Sequence, residues 1–161
     1  MIRLGSLTGE RRNLIFAAVL IASILLTSVT AWRGMVQNQK LAVEHARFNQ
    51  AVSAIESGDY ATAEPLLAEV IKTNQDSWLV AYYYGLVLEE SNHPHEADVY
   101  LENAAEIRPA LLRNQGFLLL FGRNLKKLGQ PDRANVYLKK CIAINTNPAL
   151  TQTAEQMLKG K

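Results

Sequence analysis

Residues 14–32, LIFAAVLIASILLTSVTAW, form a run of 19 positions without a charged side chain. As a helix, that run covers about 28 Å, close to the hydrocarbon thickness of a bilayer. A helix in a small soluble domain needs one apolar stripe; a segment apolar on every face predicts a transmembrane helix. Trp32 closes the run, where an indole favours the headgroup layer. Beyond it, Val36, Leu41, Ala42, Phe48, Ala51, Val52, Ala54 and Ile55 fall at helical spacing, with only Gly34 among the helix formers. The pattern predicts that the spanning helix continues, with Gly34 as a kink point, to Ser57-Gly58-Asp59. There Gly58 can take the left-handed conformation that closes a helix, and Asp59 can cap the next.

From this point the hydrophobic pattern repeats. Gly85, Ala97, Leu101 and Ala104, followed by Pro109, recur as Gly122, Ala134, Leu138 and Cys141, and in weaker form as Ala51, Ala63, Leu67 and Val70. Ala63 to Ala97 is a step of 34 residues; Ala97 to Ala134 is a step of 37. Turn residues divide each copy: Ser57-Gly58-Asp59, Asn92-His93-Pro94 and Gly129-Gln130-Pro131-Asp132. Each copy therefore predicts a helical hairpin. The small residue at Ala51, Gly85 or Gly122 lets the second helix approach, Ala63, Ala97 or Ala134 faces it, and Leu67, Leu101 or Leu138 fills the space between neighbouring copies. The three additional residues after Pro109 are expected to add most of a turn to the helix that follows. Residues 149–159, ALTQTAEQMLK, predict a short capping helix over the exposed apolar end.

A period of 34 with these residues at these offsets resembles the tetratricopeptide repeat family over residues 44–148. The resemblance is clearest in the second copy. The first copy departs from it, with Arg47, Gln50 and Ala54 at its bulky aromatic positions and no closing proline. With the apolar run, the expected chain is all-α: a cytoplasmic tail at 1–13, a transmembrane helix at 14–32 and a helical linker at 33–43. Three hairpins at 44–77, 78–111 and 115–148 then form an α-α superhelix, followed by the cap and tail at 149–161.

In that family the first helix of each pair lines the concave face of the superhelix. The corresponding positions are Phe48, Val52 and Ile55 in the first copy, Tyr82, Leu86 and Glu89 in the second, and Leu119, Arg123 and Lys126 in the third. The expected groove is apolar and aromatic at one end and basic at the other, which suits an extended or helical peptide with apolar anchors and an acidic tip. The family's clamp for a C-terminal carboxylate uses lysines and asparagines where this chain has Phe48 and Val52, so chaperone-tail recognition is not expected. The run FLLLFG at 117–122 is apolar around more than half a helix. Burial beneath neighbouring helices accounts for it, with a partner or a second copy of the chain as the other cover.

The charge balance limits the partners further. The chain holds 17 basic and 15 acidic residues; residues 1–32 contain Arg3, Arg11, Arg12 and Glu10, which leaves 14 of each beyond them. Such a balance offers no electrostatic footprint for nucleic acid. Arg11 and Arg12 beside the apolar run favour an N-terminus in the cytoplasm and a repeat domain on the extracytoplasmic side of a bacterial inner or plasma membrane. The same segment has features of an export signal, with Val29-Thr30-Ala31 as a cleavage site and a loose twin-arginine pattern at Glu10-Arg11-Arg12-Asn13-Leu14-Ile15. Its apolar run exceeds a signal core of about 7–15 residues, so a retained anchor is the expectation and a cleaved, exported soluble protein the alternative.

Candidate chemistry is sparse. Cys141 is the one cysteine and sits where the repeat requires a small packed residue, so no disulfide can form within the chain. His93-Pro94-His95-Glu96 has metal-ligand residue types, but the turn around Pro94 scatters them and His45 is distant. No phosphate loop, nucleophile elbow or zinc-protease motif occurs. The expectation is therefore a single-pass membrane scaffold without catalytic, cofactor or metal residues, acting as an accessory or assembly subunit of a membrane-associated complex. A structural subunit held mainly through its transmembrane helix is the alternative.

Overall fold

The computed structural model describes the backbone of residues 9–160 and the side chains of residues 13, 14, 16–30, 32, 33, 35, 39 and 41–160. Among these are α1 (Gly9–Glu56), α2 (Tyr60–Thr73), α3 (Trp78–Glu90), α4 (Pro94–Ile107), a 3-10 turn (Pro109–Arg113), α5 (Gln115–Lys127), α6 (Pro131–Ile144) and α7 (Pro148–Leu158). Among the described residues no strand interrupts the series. The chain divides into two units, Met1–Glu44 and His45–Lys161, and α1 contributes to both.

In the first unit the described side chains of residues 16–30 are all exposed, Leu20, Ile24 and Leu26 each by more than half. The hydroxyls within this stretch turn back on their own helix: Ser23 Oγ donates to the Leu20 carbonyl at 2.8 Å and Ser28 Oγ to the Ile24 carbonyl at 2.8 Å. Among the described residues no helix is long and apolar enough to cross a membrane. The expected span therefore gains no support from that criterion. Arg3, Arg11, Arg12, Ala31, Gly34 and Val36, on which the orientation, cleavage and kink expectations rest, lie outside the described side chains.

The second unit is a stack of helical hairpins built by repeated local devices. Each first helix ends in a left-handed residue, at Gly58 (φ 78°), Asn92 (φ 62°) and Gly129 (φ 70°). The amide of the following residue then reaches back to a carbonyl in the last turn: Asp59 to Ala54 at 2.8 Å, His93 to Leu88 at 2.8 Å, and Gln130 to Leu125 at 2.9 Å. This double closure satisfies carbonyls that the helix end leaves free. Entry to the next helix uses an acidic cap in the first hairpin, where Asp59 accepts from the Thr62 amide at 3.1 Å. In the second and third hairpins Pro94 and Pro131 occupy the first helical turn, where a missing N–H costs little.

Within the hairpins the glycines are seats for leucine. A Cβ placed on Gly85 would stand 2.8 Å from Leu101 Cγ, and one on Gly122 would stand 2.7 Å from Leu138 Cδ2. These leucines thus pack inside their own hairpin as well as in the core. Leu101 shares a cluster with Phe117 and Phe121, and Leu138 shares one with Leu118, Cys141 and Ala154. Leu118, Phe117 and Phe121 are buried to within 2% of full occlusion, so the FLLLFG run is mostly interior.

The three additional residues of the 37-residue step do not lengthen α5. The lengthened connection instead holds the separate five-residue 3-10 turn, and Asn114 follows it in an extended conformation (φ −92°, ψ 120°). Its side chain accepts from the Phe117 amide at 2.9 Å and starts a new helix there. The cap pairs an amide that the start of a new helix would otherwise leave without a partner.

Candidate functional site

The expected groove residues come from the end of α1 within the second unit, from α3 and from α5. Phe48, Val52, Ile55, Tyr82, Leu86, Leu119, Arg123 and Lys126 are all half-buried, while Glu89 is fully buried. A path of ring contacts links the three copies. Phe48 meets Tyr83 edge-on at 5.7 Å, Tyr83 meets Tyr82 at 5.2 Å, and Tyr82 meets Phe117 at 6.0 Å. Phe117 continues the path to Phe121 at 5.7 Å. Such pairs favour tilted and edge-on geometry because the ring edge is positive and its face negative. Burial pushes the Tyr82 hydroxyl above its ordinary acidity range, with Tyr83 adding to the shift, so it stays a neutral hydrogen-bonding group.

The charged end of the face differs from the expectation of a free basic surface. Arg123 reaches both Glu89 and Glu90, and Lys127 Nζ lies 2.7 Å from Glu89 Oε1 and 2.7 Å from the Glu89 carbonyl oxygen. Lys126 donates to the Met157 carbonyl near the end of α7. Burial works against the Arg123 charge, but Glu89 and Glu90 outweigh it and hold the guanidinium more firmly protonated. The cations expected to meet an acidic tip are therefore engaged within the chain. Glu89 itself is not a lining residue: it is interior and ties α3 to α5. Lys127, its second partner, was not among the expected site residues. A glutamate at the last apolar row of α3 facing two basic residues of the next copy is the signal that points to this bridge.

Next to Tyr82, sequence alone missed a cleft of about 260 Å³, walled by Trp78, Leu79 and Tyr82 of α3, by Arg108, by Ala110 and Leu111 of the 3-10 turn, and by Asn114 after it. The guanidinium of Arg108 lies over the Trp78 ring at 4.1 Å from its centre. The 37-residue step was the visible sign of this feature, since the additional turn supplies one of its walls. A second cleft of about 270 Å³ lies between α2 and α4 at Ile71, Lys72, Gln75, Tyr100 and Asn103.

Among the described residues no group of three or more His, Cys, Asp or Glu side chains could hold a metal ion. His93 Nδ1 stands 3.8 Å from Glu64 Oε1, a contact between neighbouring hairpins. Cys141 is buried, and burial raises its thiol above the ordinary range even though Gln115 pulls the other way. A thiol kept protonated is a poor nucleophile.

Residues 116–148 match the tetratricopeptide repeat family. No curated protein sequence matches the chain significantly. Among solved structures, the chain is similar to the TPR domain of Arabidopsis OM64, with a TM-score of 0.62, 15% identity, and coverage of 74% of this chain and 96% of that one. It is also similar to a MamA mutant (TM-score 0.56, 18% identity, 65% of this chain and 74% of that one). A Thermobaculum terrenum O-GlcNAc transferase mutant aligns at TM-score 0.57 and 21% identity over 66% of this chain, but this chain spans only 20% of the transferase. At these identities the likeness is one of fold: an all-α, tetratricopeptide-like helical repeat. Tetratricopeptide repeats are protein–protein interaction scaffolds.

Proposed function

We propose that this protein is a membrane-tethered interaction scaffold, without enzymatic activity, that holds a protein or peptide partner on the face formed by α3, α5 and the end of α1. The observation that carries the binding role is the half-buried aromatic and aliphatic face at Phe48, Tyr82, Leu86 and Leu119. Side chains in this state retain surface that a partner can remove from water, and rings supply the largest such area at low entropic cost. The paired cations at the far end of the face favour an apolar contact there over capture of an acidic tip.

Tethering rests on the first unit. Its apolar side chains have no partner surface among the described residues, and patches of that kind mark membrane or protein contact. The Ser23, Thr27, Ser28 and Thr30 hydroxyls already donate to carbonyls of their own helix. That is what a solvent unable to hydrogen-bond demands. The uncharged run at 14–32 and the neighbouring Arg11 and Arg12 favour a single-pass protein of a bacterial inner or plasma membrane with its repeats on the extracytoplasmic side. The accessory or assembly role follows from the absence of catalytic groupings in the sequence and from the scaffold character of the fold.

Alkaline carbonate extraction of native membranes with intact-mass measurement tests the tether. Retention in the pellet at full mass is expected. Release as a chain beginning near Trp32 supports the exported soluble form instead. Substituting alanine at Tyr82 and Leu86 tests the face: loss of a co-purifying partner is expected, and an unchanged partner in the variant leaves only the structural-subunit role.

A further inference from the structure

We infer that the cleft between Trp78, Tyr82 and the 3-10 turn is a specificity pocket for an acidic peptide segment, taking one apolar side chain between the rings and a carboxylate on Arg108. The pocket deepens the binding role proposed above and rests on it, because Tyr82 belongs to both the face and the cleft.

Three observations converge on that chemistry. The first is size. Cofactor and drug-sized sites occupy about 300–1,000 Å³, and a cleft of about 260 Å³ suits one large side chain rather than a cofactor. Its walls of Trp78, Tyr82 and Leu111 are apolar where that side chain would enter.

The second is charge. Arg123 pairs with Glu89 and Glu90, and Arg133 pairs with Glu102 at 2.6 Å. Among the described residues, the ion pairs include no carboxylate partner for Arg108 or for Arg113 at the other end of the turn, and both side chains are exposed. Two exposed guanidinium groups without an ion-pair partner thus stand at the two ends of the segment that makes the pocket wall.

The third is preorganisation. The Arg108 amide donates to the Ala104 carbonyl at 3.0 Å, and its own carbonyl accepts from the Leu111 amide at 3.0 Å. Pro109 fixes the next backbone angle, and the Trp78 ring lies against the guanidinium carbon. A guanidinium stacked by its face keeps its N–H edge available, and that edge matches a carboxylate with two parallel hydrogen bonds. The 3-10 turn lies in the connection that lengthens this repeat step from 34 to 37 residues, so the pocket belongs to the second-to-third junction.

The test uses the full chain in detergent carrying Trp32→Phe, which leaves Trp78 as the sole tryptophan. Three end-capped peptides are titrated against its fluorescence: Gly-Asp-Leu-Glu-Gly, its lysine counterpart Gly-Lys-Leu-Lys-Gly, and Gly-Asp-Ala-Glu-Gly. The acidic leucine peptide is expected to change Trp78 emission saturably and to bind at least about tenfold more tightly than either of the others. Arg108→Ala is expected to abolish that preference and Arg108→Lys to leave part of it, since lysine keeps the charge and loses the two-pronged geometry. No saturable response, equal binding of the lysine peptide, or an unchanged preference in Arg108→Ala overturns the assignment. So does saturable binding of anionic lipid vesicles that is lost in Arg108→Ala while the peptides fail to bind, because the pocket then serves headgroups. A partner that still depends on Leu86 in co-purification while all three peptides fail removes the pocket and leaves the broader face intact.

Discussion

Arg123 on α5 grips the carboxylate of Glu89 on α3, one hairpin earlier, and does so with the glutamate completely excluded from solvent. Lys127 supplies a second cation to the same carboxylate at 2.7 Å. A buried carboxylate is tolerable only when it is paired, and removing one side of such a pair strands the other. Glu89→Gln is therefore expected to lower unfolding free energy by about 2–3 kcal/mol, beneath the 3–5 kcal/mol of a fully buried pair because Arg123 remains partly solvated. A double-mutant cycle with Arg123→Met measures the coupling, and a coupling indistinguishable from zero contradicts the bridge.

Two glycines of α5 should respond oppositely to the same substitution. Gly122→Ala drives a methyl into Leu138 Cδ2 at 2.7 Å in a fully packed site. Overpacking of this kind costs about 1–3 kcal/mol. At Gly116 the nearest atom to an added methyl is Asn114 Oδ1 at 3.4 Å, an ordinary contact. There alanine is expected to stabilise by about 0.5–1 kcal/mol through helix propensity. Denaturant midpoints of the two variants on either side of the parent are the expected result.

Asp98 carries a pH signature. Burial holds its carboxyl above the ordinary range, with Glu102 adding to the effect, while Arg133, Asn124 and His95 oppose it. Asp98 Oδ1 and Asn124 Oδ1 are both buried oxygens without a donor. Because the folded form holds this proton more tightly than the unfolded chain, the associated stability is present at acid pH and is lost as pH rises through the folded-state value. Asp98→Asn removes that loss and brings an N–H donor toward Asn124 Oδ1. Thermal melts at about pH 4 and about pH 7 should show the variant gaining on the parent as pH increases.

Cys141 should be inert in the folded protein. It is fully buried, and burial raises its thiol. Thiol reagents are expected to label it only as fast as the protein opens, and to label it fully in denaturant. Rapid labelling without denaturant contradicts its place in the cluster with Leu118, Leu138 and Ala154.

The repeating offsets made the hairpins legible because each marks a steric necessity. A small residue, glycine or alanine, must face each leucine, a left-handed residue must close each first helix, and a proline or polar cap must open each second one. Those constraints act within about four residues or across one hairpin, and composition records them directly. The basic end of the groove was misjudged for a different reason. Arg123 and Lys126 have the spacing of lining residues, but spacing does not show that Glu89 of the preceding copy and the Met157 carbonyl of α7 already hold cations of α5. The 3-10 turn was visible as three surplus residues. Its form depended on whether Asn114 capped a new helix or continued an old one, and in the fold Asn114 is the cap, accepting from the Phe117 amide.

Site-specific photo-cross-linking in native membranes tests the scaffold role most directly. Benzoylphenylalanine in place of Leu86 or Tyr82 sits on the proposed binding face, and in place of Val99 or Val136 it sits on exposed positions of α4 and α6. A discrete protein adduct in the membrane fraction from the first two positions, with none from the last two, is the predicted result. Adducts confined to Val99 and Val136, or no protein adduct from the face while the chain stays in its native membrane, would contradict it.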